Sequence, residues 1–102
     1  MKITVICRVE PGCLGPDGAN HVEDFCKLGQ KEFDAIDPDK VEWQIVPRFD
    51  KTKPEVQYKL RGRFLSEEQS VLYLKALGKD PEQFEEDMFK QLTVSVNHYF
   101  GR

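Results

Sequence analysis

Alternating apolar and polar positions predict three β-strands in the first two-thirds of the chain. Residues 2–9 carry an apolar side chain at every second position, and the same pattern returns in residues 41–49 and 56–64. The polar segment 50–55 between the last two strands is typical of a hairpin loop. Pro47 has no amide hydrogen to donate to a neighbour, so residues 41–49 are expected to form an edge strand.

Apolar residues spaced by three and four positions predict helices in the segments between and after these strands. Residues 21–36 carry such a stripe. Ser66 and Gln69 form a capping-box pattern at the start of a second helix. Asp80-Pro81 then begins a further helix immediately after the second one ends.

The last segment, residues 92–100, fits two patterns. Leu92, Val96 and Tyr99 continue a helical stripe, whereas strict alternation favours a strand. Thr93-Val94-Ser95-Val96 is poor helix material, because branched side chains lose rotamer freedom in a helix. The sequence therefore predicts a C-terminal strand.

The resulting order of elements is β-α-β-β-α-β, with the second helix split in two. This order resembles that of the ferredoxin-like fold. Such a fold is a two-layer α+β sandwich, in which an antiparallel-rich sheet with strand order four, one, three, two leaves one face open. Residues 41–49 then lie at an edge, as Pro47 requires. A chain of 102 residues fits one such domain, spanning 1–102.

The open face of this sheet is predicted to be basic. The polar alternates of the strands place six basic residues there against one acid, Glu42; the basic residues are Lys2, Arg8, Arg48, Lys59, Arg61 and Arg63. Tyr99 is the one aromatic side chain expected on this face. RNA-recognition domains stack bases on sheet aromatics. Here Arg63 stands where such an aromatic belongs and Phe64 is expected to point to the opposite face, so that signature is incomplete.

Three interpretations of the basic face stay open. The charges simply solvate an exposed sheet, or they bind an anionic partner such as nucleic acid, or the face pairs with a second copy in a homodimer. The favoured hypothesis is an interaction module that binds through this face. The residues expected to carry the binding are Arg8, Arg48, Lys59, Arg61, Arg63 and Tyr99.

The loop after the first strand offers an alternative function, a small enzyme. Gly12, Gly15 and Gly18 are spaced unlike the dinucleotide fingerprint or the P-loop, and the loop is interpreted as a flexible connector. Cys13 near a helix start, with His21 eight residues later, is the candidate nucleophile pair. No catalytic residue is assigned under the favoured hypothesis.

Composition sets the remaining expectations. The cysteines and histidines lack the tight spacing of a zinc site, so neither a metal nor a cofactor is expected. Three cysteines without a secretory signal indicate a cytoplasmic protein with reduced thiols. No apolar run approaches the roughly 20 residues that a membrane span needs. The net charge of −3 argues against a wholly basic nucleic-acid binder.

Overall fold

The computed structural model of this protein describes residues 2–102 and contains one mixed four-stranded sheet and three α-helices. The elements in chain order are β1 (Ile3–Val9), α1 (Gly18–Asp34), β2 (Val41–Pro47), β3 (Val56–Leu60), β4 (Arg63–Phe64), α2 (Glu67–Ala76) and α3 (Pro81–Tyr99). A short 3-10 helix, Pro11–Leu14, lies between β1 and α1. The predicted two-layer α+β class is confirmed. None of the helices described is long and apolar enough to cross a membrane.

The strand order is β2-β1-β3-β4, which differs from the ferredoxin-like order. β2 runs parallel to β1 because α1 carries the chain back across the sheet between them, whereas β3 is antiparallel to β1. β2 thus occupies the position beside β1 that was predicted for the C-terminal strand. The prediction that Pro47 lies in an edge strand is confirmed. Gln30 of α1 covers that edge by bonding the backbone nitrogen of Ile45 at 2.8 Å and the carbonyl of Trp43 at 2.7 Å.

The predicted strand at 92–100 is wrong, because this segment lies within helix α3 and its C-cap. The helical stripe buries Met88 and Ser95 and packs Leu92 and Val96 against the core. Val94, in contrast, is 42% exposed. Packing of this stripe against α1 and the sheet outweighs the weak helix propensity of the threonine and valine residues.

Side-chain caps separate the two C-terminal helices, as the sequence predicts. Ser66 accepts from the backbone nitrogen of Gln69, and the Gln69 side chain accepts in return from the Ser66 nitrogen. Asp80 accepts from the backbone nitrogens of Glu82 and Gln83 at the start of α3. The split of the second helix is therefore confirmed.

The core lies between the sheet and the helices and is rich in aromatic rings. Trp43 packs edge-on against Phe33, with centroids 4.9 Å apart, and stacks on Phe84 at 5.6 Å. The indole nitrogen of Trp43 donates to the carbonyl of Ile36 at 3.0 Å. This packing leaves the other face of the sheet without a helix on it.

Candidate binding face

A two-residue turn divides the segment that was predicted to be one strand over 56–64. Arg61 and Gly62 both have positive φ, 52° and 78°, and connect β3 to β4 as a hairpin. Left-handed conformations at both central positions define the primed turns that suit the twist of paired strands. The single-strand prediction is wrong, since the chain reverses direction at this point.

The turn changes the face on which Phe64 lies. Phe64 is paired across the hairpin with Lys59, and cross-strand partners share one face of a sheet. Lys59 is on the open face, because its neighbour Tyr58 is buried in the core. Phe64 was expected among the core residues and instead lies on the open face, 54% exposed. The Lys59 ammonium is 4.7 Å from the centre of its ring.

The hairpin forms one wall of a groove on the open face, referred to below as the open-face groove. Its volume is about 410 Å³, and it is lined by Ile6, Arg8, Gln44, Val46, Pro47, Phe49, Asp50, Lys53, Lys59 and Phe64. Ile6 is only 4% exposed although it lies on this face. Phe49, just past the end of β2, is 64% exposed. The groove therefore combines aliphatic side chains and two accessible phenyl rings with polar and charged ones.

The open-face groove carries a net positive charge. Arg8, Lys53 and Lys59 line it together with one acid, Asp50, which leaves two positive charges in excess. Hydrogen bonds from the Thr52 side chain and backbone hold the pKa of Asp50 below its usual value, so Asp50 is ionised at neutral pH. The Arg8 guanidinium donates to the carbonyl of Pro54 at 2.9 Å, which fixes its position at the groove.

Arg48, one of the predicted binding residues, has a structural role in the loop between β2 and β3. Its guanidinium donates to Glu10 at 3.0 Å and to the carbonyls of Lys51 and Lys53 at 3.3 and 3.1 Å. Only 19% of its side chain is exposed. Arg48 thus holds the loop that presents Phe49 to the groove, and it does not line the groove itself.

The other predicted binding residues fall in three places. Arg8 and Lys59 line the groove, whereas Arg61 is at the tip of the hairpin and Arg63 is on its opposite side, paired with Leu60. Tyr99 is in α3 and not in a strand, so its predicted place on the open face is wrong. The groove residues that sequence reasoning missed include Phe49, Lys53 and Phe64. The Arg61-Gly62 pair is the signal that would have located Phe64.

The glycine-rich loop contains the 3-10 helix Pro11–Leu14. Its backbone nitrogens are used internally: Cys13 donates to Glu10, Gly15 to Gly12, and Gly18 to Gly15. Gly18 packs so closely beneath Pro11 that a Cβ would lie 1.7 Å from the Pro11 carbonyl oxygen. Because these amides already have acceptors, the geometry does not provide a phosphate cradle.

The residues of the enzyme hypothesis, Cys13 and His21, have separate surroundings. Cys13 is exposed at the rim of a mainly apolar cleft of about 370 Å³ beside α3. The Nδ1 atom of His21 lies 3.0 Å from the hydroxyl of Tyr99, and its ring packs edge-on against Phe100. No hydrogen bond joins Cys13 to His21 in the region described, so a nucleophile–base pair is not formed in this arrangement.

The two buried thiols, Cys7 and Cys26, are referred to below as the core cysteines. Burial, with smaller effects from neighbouring Cys26 and Glu55, raises the pKa of Cys7 to about 12. Burial and the nearby Glu23 raise the pKa of Cys26 to about 11. Both are therefore protonated and poor nucleophiles at neutral pH.

Acidic side chains gather on the helical side of the molecule. A cavity of about 550 Å³ between β3 and the two C-terminal helices is lined in part by Glu67, Glu82 and Glu85. The hydroxyl of Tyr58 donates to Glu85 at 3.2 Å, and burial together with this carboxylate raises the pKa of Tyr58. Basic and acidic grooves thus lie on different sides of the chain.

Comparisons with known proteins identify no relative of this chain. No protein-family model, no curated protein and no solved structure matches the chain.

Proposed function

We propose that this protein is a binding module whose open-face groove takes an anionic partner. One observation carries the proposal: the Arg61-Gly62 turn brings Lys59 and Phe64 together beside Arg8 and Lys53. Lys59 pairs with Thr4, four residues before Arg8 on the neighbouring strand. Arg8 and Lys59 are therefore separated by about 13 Å along the strands, so they can contact successive phosphates or carboxylates of one extended ligand.

The distribution of charge over the molecule also supports binding of an anion at the open face. The groove is cationic although the whole chain has a net charge of −3, because carboxylates are concentrated on the helical side. Arg61 adds one exposed cation at the tip of the hairpin next to the groove. A polyanion is therefore attracted to the open face and repelled from the helices.

Calorimetric titration with inorganic polyphosphate over a range of salt concentrations tests the proposal. Lys59→Met is expected to weaken binding and to lower the slope of log affinity against log salt by about 1. Lys90→Met is the matched control, because Lys90 is an exposed lysine on α3 and its substitution removes the same charge elsewhere. Equal affinities for the two variants, or no binding by the unmodified protein, would contradict the proposal.

A homodimer formed through the open face is the competing occupant of the groove. The homodimer hypothesis predicts a molar mass of two chains in light scattering. Replacing Phe64 with a charged residue is then expected to reduce the molar mass to that of one chain. The edge of β2 is less suited to pairing with a second copy, since Gln30 already bonds its backbone.

A further inference from the structure

Two exposed phenyl rings distinguish the open-face groove from a purely ionic site. Phe49 is 64% and Phe64 is 54% exposed, and both line the groove. A ligand made of charge alone, such as polyphosphate, would leave these rings in water. A ligand that uses the whole groove must present flat apolar surfaces as well as negative charge.

The contact between Lys59 and Phe64 sets the order of these features along the ligand. The ammonium lies over one face of the ring, 4.7 Å from its centre, so a planar group that stacks on this face moves the flexible Lys59 side chain aside, toward the group's own flanking anion. Lys53 and Phe49 also line the groove, from the loop between β2 and β3. A ligand in which planar groups and anions alternate would contact both rings and the cations of the lining.

Single-stranded nucleic acid has this alternation of bases and phosphates. We propose that the groove binds a short single strand, with bases stacked on Phe64 and Phe49 and phosphates held by Lys59, Lys53 and Arg8. This inference rests on the proposed function and specifies its ligand. A duplex is excluded as the preferred form, because its bases are already stacked on one another and cannot reach the rings.

The test compares one aromatic and one cationic substitution against two ligands. A fluorescein-labelled oligothymidylate is titrated by anisotropy, and inorganic polyphosphate by calorimetry. Phe64→Leu is expected to weaken oligothymidylate binding about tenfold and to leave polyphosphate binding unchanged, because loss of stacking on one base removes only the aromatic contribution. Lys59→Met is expected to weaken both. Phe89→Leu, at a 44% exposed phenylalanine on α3, is the matched control.

Further variants and ligands keep the outcomes distinct. Phe49→Leu repeats the aromatic test outside the hairpin, and circular dichroism verifies that each variant is folded. An oligouridylate is run in parallel to compare RNA with DNA, and duplex DNA is expected to bind no more tightly than polyphosphate of equal charge.

Three results would overturn the inference in different ways. Unchanged oligothymidylate affinity in both phenylalanine variants, with polyphosphate binding still dependent on Lys59, would refute base stacking and leave the proposed function intact. Absence of binding to either ligand would refute the proposed function itself. A stable dimer that dissociates in Phe64→Leu would assign the groove to a second copy and would also overturn the inference.

Discussion

Replacing Gly18 with alanine is expected to destabilise the protein strongly, because the added methyl group meets backbone atoms. A Cβ on Gly18 lies 1.7 Å from the carbonyl oxygen of Pro11 and 2.6 Å from its carbonyl carbon. Even a close C–H···O contact keeps carbon and oxygen about 3.3 Å apart. The 3-10 turn and α1 must therefore separate by roughly 1.6 Å, the difference between the two carbon–oxygen distances.

This separation disturbs contacts on both sides of the turn. It breaks the 3.0 Å hydrogen bond from the Gly18 nitrogen to the Gly15 carbonyl, and it displaces Leu14, which is 5% exposed. Overpacking costs about 1–3 kcal/mol, and a clash with backbone belongs at the upper end because no side chain can rotate away. At about 3 kcal/mol, a domain of this size loses roughly 12–24 °C in Tm.

Thermal and urea unfolding followed by circular dichroism measures the effect. Gly12→Ala is the control in the same loop, because the nearest atom to its Cβ, the Glu10 Cγ, is 4.0 Å away. Gly12→Ala is expected to change stability by less than about 1 kcal/mol. The reasoning is refuted if Gly18→Ala is as stable as Gly12→Ala, since the turn would then yield to the methyl group at no cost.

Three further predictions concern the hairpin, an interhelical contact and the thiols. Arg61→Asn is expected to raise the unfolding free energy by up to about 1 kcal/mol, because asparagine adopts the left-handed conformation of Arg61 (φ 52°) more readily. The polar side chains of Ser95 and His98 hold the pKa of Glu32 below its ordinary value of 4.5, and the Nδ1 atom of His98 is 2.7 Å from the carboxylate. Stability is therefore lost as pH falls below this value, and Glu32→Gln is expected to reduce that loss. Cys13 is expected to react with a thiol reagent in the folded protein at neutral pH, whereas the buried core cysteines react only after unfolding.

Each of these predictions has a measurement that contradicts it. For the hairpin, the contrary result is that Arg61→Asn unfolds with a midpoint urea concentration equal to or lower than that of the unmodified protein. For the interhelical contact, the measurement is the unfolding free energy as a function of pH in the acid range. The control is Glu68→Gln, at an exposed glutamate on α2. The contrary result is a Glu32→Gln curve that matches the curve of the unmodified protein or of the control. For the thiols, mass spectrometry monitors the rate of labelling at each cysteine. The contrary result is a core cysteine that is labelled as fast as Cys13.

The class of the fold follows from local sequence patterns, because each strand and helix that buries one face shows it in its periodicity. β1, β2 and α1 are examples, and the caps at Ser66 and Asp80 mark helix starts through hydrogen bonds within a few residues. Strand order does not follow in the same way. Whether β2 pairs with β1 or β3 depends on the packing of α1 across the sheet, which involves residues distant in sequence.

The candidate groove was only partly predictable for the same reason. The alternation rule correctly places Arg8 and Lys59 on the open face, yet it fails at Phe64 because a two-residue turn at Arg61-Gly62 restarts the register. At the C-terminus, propensity and the helical stripe conflict. The helix forms because its stripe buries apolar side chains against α1. The free energy gained by this burial is not part of the local helix propensity.

The most direct test of the account is a map of backbone and side-chain NMR shifts during titration with polyphosphate at low salt. We expect shifts at Arg8, Lys53, Lys59 and Phe64, on the open face, with little change around Cys13 and the acidic cavity. Such a pattern would assign anion binding to the open-face groove. Shifts centred on the cleft beside Cys13, or no shifts at any concentration, would contradict the account.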